Sequence, residues 1–334
     1  MINRHQSLFR TQTLCFFGLL LMLATPSCTS GNRSNSSTQQ KPETIGFIDF
    51  VEDATLAQAR QGFLDALKEA GLSEDSGTLK VIYRNAQGDQ PTLVQAVDYI
   101  LSQDPVLIAT NTTLATISTA QRTQNIPVFM MVAPEPAKAG LTDKAGKAPA
   151  NLFGVYETTD YIDTSVTLIQ RLFPGAKKVG AIYSQSEPQS LEALEQLKRG
   201  CAASGLPLEA LPVTNSSETQ LVTQSLLSKG VEVFFALPDN AVFASFESIV
   251  KVCNAKNIPI LTSEAGLVAR GAVASYGADM YQWGFQSGQQ AAQYIRNGKA
   301  TGLRPEPVQQ RKRVFNPEAA ERFGVRPDST FNRL

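Results

Sequence analysis

The residues of this chain with chemistry to offer are short polar clusters, each placed directly after an apolar run. Thr110-Asn111-Thr112-Thr113 presents hydroxyls and, if a helix opens there, free backbone N–H groups at the positive end of its dipole. A carboxylate would sit well at that point; plain N-capping by Asn111 or Thr112 is the alternative reading. Pro238-Asp239-Asn240 puts an acid at the corresponding place in the second half of the chain, where a helix cap is again the alternative. Glu52, Glu264 and Asp279 also follow apolar runs closely, and any of them could hold an ammonium group. Asp279 is the first choice, because it lies where the chain is expected to cross between its halves; Glu52 and Glu264 read more naturally as caps or solvated acids. Phe50, Tyr156, Tyr183 and Tyr276 end apolar runs and offer walls for a pocket, since ligand sites are mostly apolar. An acid on one side and hydroxyls with a helix start on the other suit a zwitterion.

Bond-making chemistry has little support. The sequence has no G-x-G-x-x-G after a strand, no G-x-x-x-x-G-K-[ST], no G-x-S-x-G and no H-E-x-x-H. Its one histidine, His5, lies in the extreme N-terminal segment, so the rest of the chain lacks the commonest general base and the usual zinc ligand. An enzyme is therefore not expected, and neither a cofactor nor a metal. Thirty basic residues balance thirty acidic ones, which removes the electrostatic reason to expect a nucleic-acid partner.

Arg4 and Arg10 precede the apolar run Leu14 to Ala24, which is too short to span a bilayer and suits the core of an export signal. The run leads into Ala24-Thr25-Pro26-Ser27-Cys28, which resembles a bacterial lipoprotein signal cut before a cysteine that is then lipidated; an ordinary cleaved signal is the alternative. Residues 1–27 are read as the signal and 28–43 as lipidated Cys28 with a flexible polar tether. The protein is expected to be exported and held at a membrane surface, facing a periplasm or the cell exterior. Cys201 and Cys253 are read as small buried apolar residues.

The elements that would position the polar clusters alternate strand and helix from Thr44 onward. Strands are predicted at Thr44–Phe50, Leu79–Tyr83, Val106–Ala109, Asn125–Val132 and Leu152–Val155, with helices between them such as Ala54–Ala70 and Thr92–Leu101. The order then recurs: Lys178–Ser184 answers the first strand, Val231–Leu237 the third, and Asn257–Ser263 the fourth, even repeating Asn-Ile-Pro. The fold class is therefore α/β, with two similar doubly wound parallel-sheet lobes joined by three hinge crossings. Residues 44–155 with 277–305 form the first lobe and 156–276 with 306–334 the second. A helix from about Met280 carries Gly284, Ser287, Gly288, Ala291 and Ala292 on one face, which lets another element approach closely. Two like lobes enclose a cleft that can close on a ligand.

Five segments carry a resemblance to a known family: I-G-F-I-D-F-V-E-D-A at 45–54, Y-R-N-A-Q-G-D at 83–89, K-K-V-G-A-I-Y at 177–183, P-D-N at 238–240 and Y-G-A-D-M-Y-Q-W-G at 276–284. From about Ile45 to Gly324 the chain resembles the substrate-binding lipoproteins of ABC transporters, in the branch associated with tryptophan or other aromatic amino acid uptake. That resemblance implies a type I periplasmic binding protein fold and a small ligand in the cleft, contacted by the loops of Asn111 to Thr113, Asp239 to Asn240 and Tyr276 to Asp279. It also implies ABC permease subunits as partners; a monomer is expected. A sensory receptor of the same fold is the alternative, and an enzyme using the interlobe cleft is another.

Overall fold

The computed structural model describes residues 41–334. The export signal and Cys28 lie outside the described residues. The first lobe opens with β1 (Glu43–Asp49), α1 (Ala54–Glu69), β2 (Leu79–Asn85), α2 (Gln90–Leu101), β3 (Leu107–Asn111), α3 (Thr113–Arg122), β4 (Val128–Met131) and β5 (Leu152–Tyr156). The second follows with α4 (Tyr161–Leu172), β6 (Val179–Ser184), α5 (Pro188–Ala203), β7 (Leu208–Val213), α6 (Thr219–Leu227), β8 (Val233–Ala236), α7 (Asn240–Ala244), α8 (Phe246–Ala255), β9 (Ile260–Thr262), α9 (Ala265–Val268) and β10 (Ala274–Ala278). The chain returns to the first lobe with α10 (Met280–Asn297) and β11 (Glu306–Pro307), then closes the second with β12 (Arg311–Phe315), α11 (Pro317–Arg322) and β13 (Asn332–Arg333).

Local signals account for most of these elements. Leu56, Ala59, Phe63, Ala66 and Leu67 recur at helical spacing and form the buried face of α1, while Asp53 caps its first turn by accepting from the N–H groups of Thr55 and Leu56. Asp89 caps α2 in the same way, with Pro91 in its first turn. The long α10 ends on Gly298 in the left-handed conformation.

The two sheets run in the orders β11-β5-β4-β3-β1-β2 and β13-β12-β10-β9-β8-β6-β7. All pairings are parallel except β10 with β12. In each lobe the strand order reverses beside the first strand, between β1 and β3 and between β6 and β8. Open α/β sheets bind ligands outside the carboxyl ends of the strands at such points. The loops after β1, β3, β6 and β8 all leave from these ends, so the topology gathers the polar clusters at one place in each lobe.

The small-residue face of α10 packs on α1. A Cβ added at Gly284 would lie 1.8 Å from the Ala59 carbonyl oxygen, so the contact admits only glycine there. This pins the returning helix to the first lobe, while β10 just before it belongs to the sheet of the second.

Candidate functional site

A cavity between the lobes encompasses about 460 Å³ of space not filled by atoms, the solvent at its mouth included. The first lobe contributes Thr112, Val132, Ala133, Pro134 and Trp283; the second contributes Tyr161, Gln189, Pro238, Asn240, Phe243 and Glu264. Glu157 and Thr159 line it from the crossing between β5 and α4.

The floor on the first lobe is built from strained backbone. Thr112 has φ 91° and Val132 φ 51°, both β-branched residues in the left-handed half of conformational space. Each costs about 1–3 kcal/mol and persists only where surroundings hold it. Those surroundings are visible: the Asn111 amide donates to Asp49 Oδ1 at 2.8 Å and to the Leu56 carbonyl at 3.0 Å, and Thr112 N–H donates to the Met131 carbonyl at 3.2 Å. The twist at Thr112 turns its hydroxyl away from a capping position, so the N-terminus of α3 has no side-chain cap. Its first N–H groups lack intrahelical acceptors by geometry and face negative charge favourably. Thr112 Oγ1 and Thr113 Oγ1 are buried without a hydrogen-bond partner among the described residues.

The same cavity is lined by two acids, Glu157 and Glu264. Arg311 binds both carboxylate oxygens of Glu157, through Nη2 to Oε1 and through Nε to Oε2 at 3.0 Å. Burial raises the Glu157 pKa and Arg311 opposes the rise. Glu264 has no such cation. Its Oε1 accepts from the Ser263 hydroxyl at 3.2 Å and from the Tyr161 hydroxyl at 3.5 Å, while Oε2 has no partner among the described residues. Burial pushes Glu264 up to about 7, with the nearby Glu157 adding to the shift. With Glu157 balanced by Arg311, an ionised Glu264 is the uncompensated charge of the cavity. It calls for a cation.

Between these two poles the walls are apolar: Val132 to Pro134 and the Trp283 ring from one lobe, Pro238, Phe243 and the Tyr161 ring from the other. The Trp283 N–H is already committed to the Val155 carbonyl at 2.8 Å, which leaves its ring as a wall. The lining offers a helix start to an anion, a carboxylate to a cation and apolar walls to a flat group.

Of the residues singled out in the sequence, Thr112, Asn240 and Glu264 line this cavity. The others lie elsewhere. Asp239 has both oxygens consumed: Oδ1 caps α7 through the N–H groups of Ala241 and Val242, and Oδ2 accepts from Ser184 N–H at 2.7 Å and the Ser190 hydroxyl at 2.6 Å. It braces two loops and leaves nothing for an ammonium group. Asp279 caps α10 and pairs with Lys312 at 2.8 Å, away from the cavity. Asn111 is buried beneath the floor, and Thr113 begins α3 behind Thr112. Tyr156 is half-buried at the end of β5, its carbonyl accepting from Val308 N–H. Arg313 covers the Tyr276 ring with its guanidinium 5.2 Å from the centroid. Glu52 is exposed at a separate opening and bonds Tyr83 and Asn85. Cys201 and Cys253 are buried and unbonded.

Glu157, Thr159, Tyr161 and Gln189 carried no flag in the sequence, although Glu157 directly follows β5 and Gln189 opens the helix after β6. The rule that selected Thr112 applies equally to them. Trp283, on the helix that returns to the first lobe, is a cavity wall. Phe243 and the Val132 to Pro134 turn carried no signal beyond apolarity.

Two parallel-sheet lobes with a charged, apolar-walled cavity between them define a two-lobed solute-binding protein. A family described as ABC transporter substrate binding protein matches residues 44–331, and this chain belongs to it. It is 30% identical over 298 residues to a tyrosine-binding protein of Clostridioides difficile (strain R20291), covering 87% of this chain and 85% of the relative. Among solved structures it is similar to the ABC domain in complex with L-Trp from Streptococcus pneumonia, with a TM-score of 0.80 at 26% identity, covering 86% of this chain and 97% of that one. A conserved domain protein from Vibrio cholerae gives a TM-score of 0.81 at 26% identity over 88% of this chain and 99% of that one. No helix among the described residues is long and apolar enough to cross a membrane.

Proposed function

We propose that this protein captures an aromatic α-amino acid between its lobes and delivers it to the permease of an ABC importer, working outside the cytoplasm as a monomer tethered through lipidated Cys28. The ligand carboxylate sits at the N-terminus of α3 against Thr112, its ammonium group on Glu264, and its ring between Trp283, Phe243 and the Val132 to Pro134 turn. The observation that carries this reading is the pairing, across one cavity, of an uncapped helix start with an unpartnered buried carboxylate. Each is costly alone, and an α-amino acid satisfies both together. The tyrosine-binding relative and the L-Trp complex support the same class of ligand.

The chain has a single tryptophan, Trp283, and it lines the cavity, so its fluorescence reports occupancy directly. Excitation at the red edge, where tyrosine is silent, should give a saturable change on titration with tyrosine and none with glucose or adenosine. Calorimetry should return the same affinity and extend the test to tryptophan. No response to any amino acid from folded protein would remove the assignment.

A further inference from the structure

Among the described residues, three buried polar atoms of the cavity lining lack a hydrogen-bond partner: Thr112 Oγ1, Glu264 Oε2 and Gln189 Oε1. Glu157 is bound by Arg311, the Tyr161 hydroxyl donates to Glu264, the Asn240 N–H groups go to Glu187, and the Trp283 N–H goes to Val155. Thr112 and Glu264 are the ends of the proposed amino acid site. What remains is Gln189 Oε1, buried and without a hydrogen-bond partner among the described residues.

The orientation of this amide follows from its contact with Glu187. Gln189 stands in the first turn of α5, and its Nε2 donates to Glu187 Oε2, which also accepts from the backbone N–H and the side-chain amide of Asn240 at 3.0 Å each. With that oxygen accepting from all three donors, the nitrogen of Gln189 faces Glu187 and its oxygen faces away. Glu187 is itself 4% exposed, which locks the arrangement in the protein interior. Gln189 thus lines the cavity with an acceptor that no group of the protein satisfies among the described residues. A buried acceptor left unpaired costs more than a typical hydrogen bond returns, and such groups in folded proteins usually have a partner.

We propose that Gln189 is a specificity-determining residue, its amide oxygen accepting a hydrogen bond from a donor on the ligand's ring, a phenolic hydroxyl or an indole N–H. Resting on the amino acid reading above, it narrows the ligand from aromatic amino acids in general to those with a ring donor, tyrosine and tryptophan, and against phenylalanine. A site built to bond a polar ligand group rejects the analogue lacking it, because its own polar group is then buried unpaired.

The test is calorimetric titration of the whole protein with tyrosine, tryptophan and phenylalanine, in the wild type and in Gln189→Met, which keeps length and flexibility but removes the acceptor. Wild type should bind tyrosine or tryptophan at least ~10-fold more tightly than phenylalanine. Gln189→Met should bring that ratio close to one by weakening the ring-donor ligands while phenylalanine affinity changes little, an outcome that general loosening of the site would not produce. Equal binding of all three by wild type, or a ratio that survives in Gln189→Met, overturns the proposal and leaves the aromatic amino acid reading standing. If Gln189→Met does not fold, the wild-type ratio decides by itself. Absence of binding to all three by folded wild type removes both readings together.

Discussion

Arg270 of the second lobe and Asp53 of the first are ion-paired across the cleft, Nη1 to Oδ2 at 2.5 Å. Both ends are prepared for the meeting. Asp53 uses its other oxygen to cap α1, and Arg270 is held by Glu247 at 2.7 Å, by the Phe243 carbonyl at 2.8 Å and by the face of the Phe246 ring. Beside this pair, Gly266 of α9 lies against the Thr55 side chain, where an added Cβ would meet Thr55 Cγ2 at 2.2 Å. None of these four residues lines the ligand cavity. Both contacts bridge the lobes, so separation of the lobes would break them.

Asp53→Asn retains the helix cap, because asparagine caps as well as aspartate. It removes only the charge that faces Arg270. Ligand affinity should fall by roughly 5- to 30-fold, equivalent to about 1–2 kcal/mol, and stopped-flow measurements should place the loss in faster dissociation. The melting temperature of the unliganded protein should change little.

Gly266→Ala puts a methyl group into Thr55 and obstructs closure without altering any cavity residue. Affinity should drop by at least ~10-fold. Adding Thr55→Ala removes the two nearest clashing atoms and should recover part of the loss. Small-angle scattering of the single variant with excess ligand should show a larger radius of gyration than the liganded wild type.

Glu264→Gln removes the proposed partner of the ligand's ammonium group and should weaken amino acid binding by roughly 10- to 100-fold. Asp279→Asn should leave affinity almost unchanged, since asparagine still caps α10 and the carboxylate it replaces faces Lys312. In the unliganded protein Glu264 titrates at about 7, and binding an ammonium group requires its ionised form. Affinity should therefore be flat above that value for as long as the ligand's amine stays protonated and fall about tenfold per unit below it, a slope that Glu264→Gln abolishes. Calorimetry across pH with both proteins checks the point.

Unliganded stability should depend on pH in the opposite sense to that of most proteins. Burial pushes Asp49 up to about 6, Glu264 up to about 7 and Glu187 up to about 8, all above the ordinary carboxylate range. Between those values and the ordinary ones the native state binds more protons than the unfolded chain, so stability falls as pH rises through that window. Glu209, Glu247 and Asp89 are shifted down and titrate below it. The melting temperature without ligand should be higher near pH ~5 than near pH ~8. Tyrosine, by compensating ionised Glu264, should narrow the gap.

The sequence by itself determined the lobes and the edge of the sheets where a ligand belongs. Apolar runs alternating with helical periodicity, and the return of Asn125-Ile126-Pro127 as Asn257-Ile258-Pro259, are local patterns, and local patterns specify strand and helix order. The small face of α10 announced a close neighbour, and tertiary structure supplied α1. Strand ends were harder to read. β3 runs two residues past the apolar run, through Thr110 and Asn111, because backbone pairing with β1 and β4 continues whatever the side chains are. β12 begins Arg-Lys-Arg and carries no apolar run, yet pairs with β10 in antiparallel register. Which acid faces the cavity was decided only by the tertiary structure. Asp239, Asp279 and Glu264 all follow strand ends and look alike in one dimension; the first is consumed by four donors and the second by a cap and Lys312. Glu264 keeps a free oxygen because its neighbours supply only two hydroxyls and no cation. A side chain's free valence depends on donors brought from distant parts of the chain, and no spacing along the sequence encodes it.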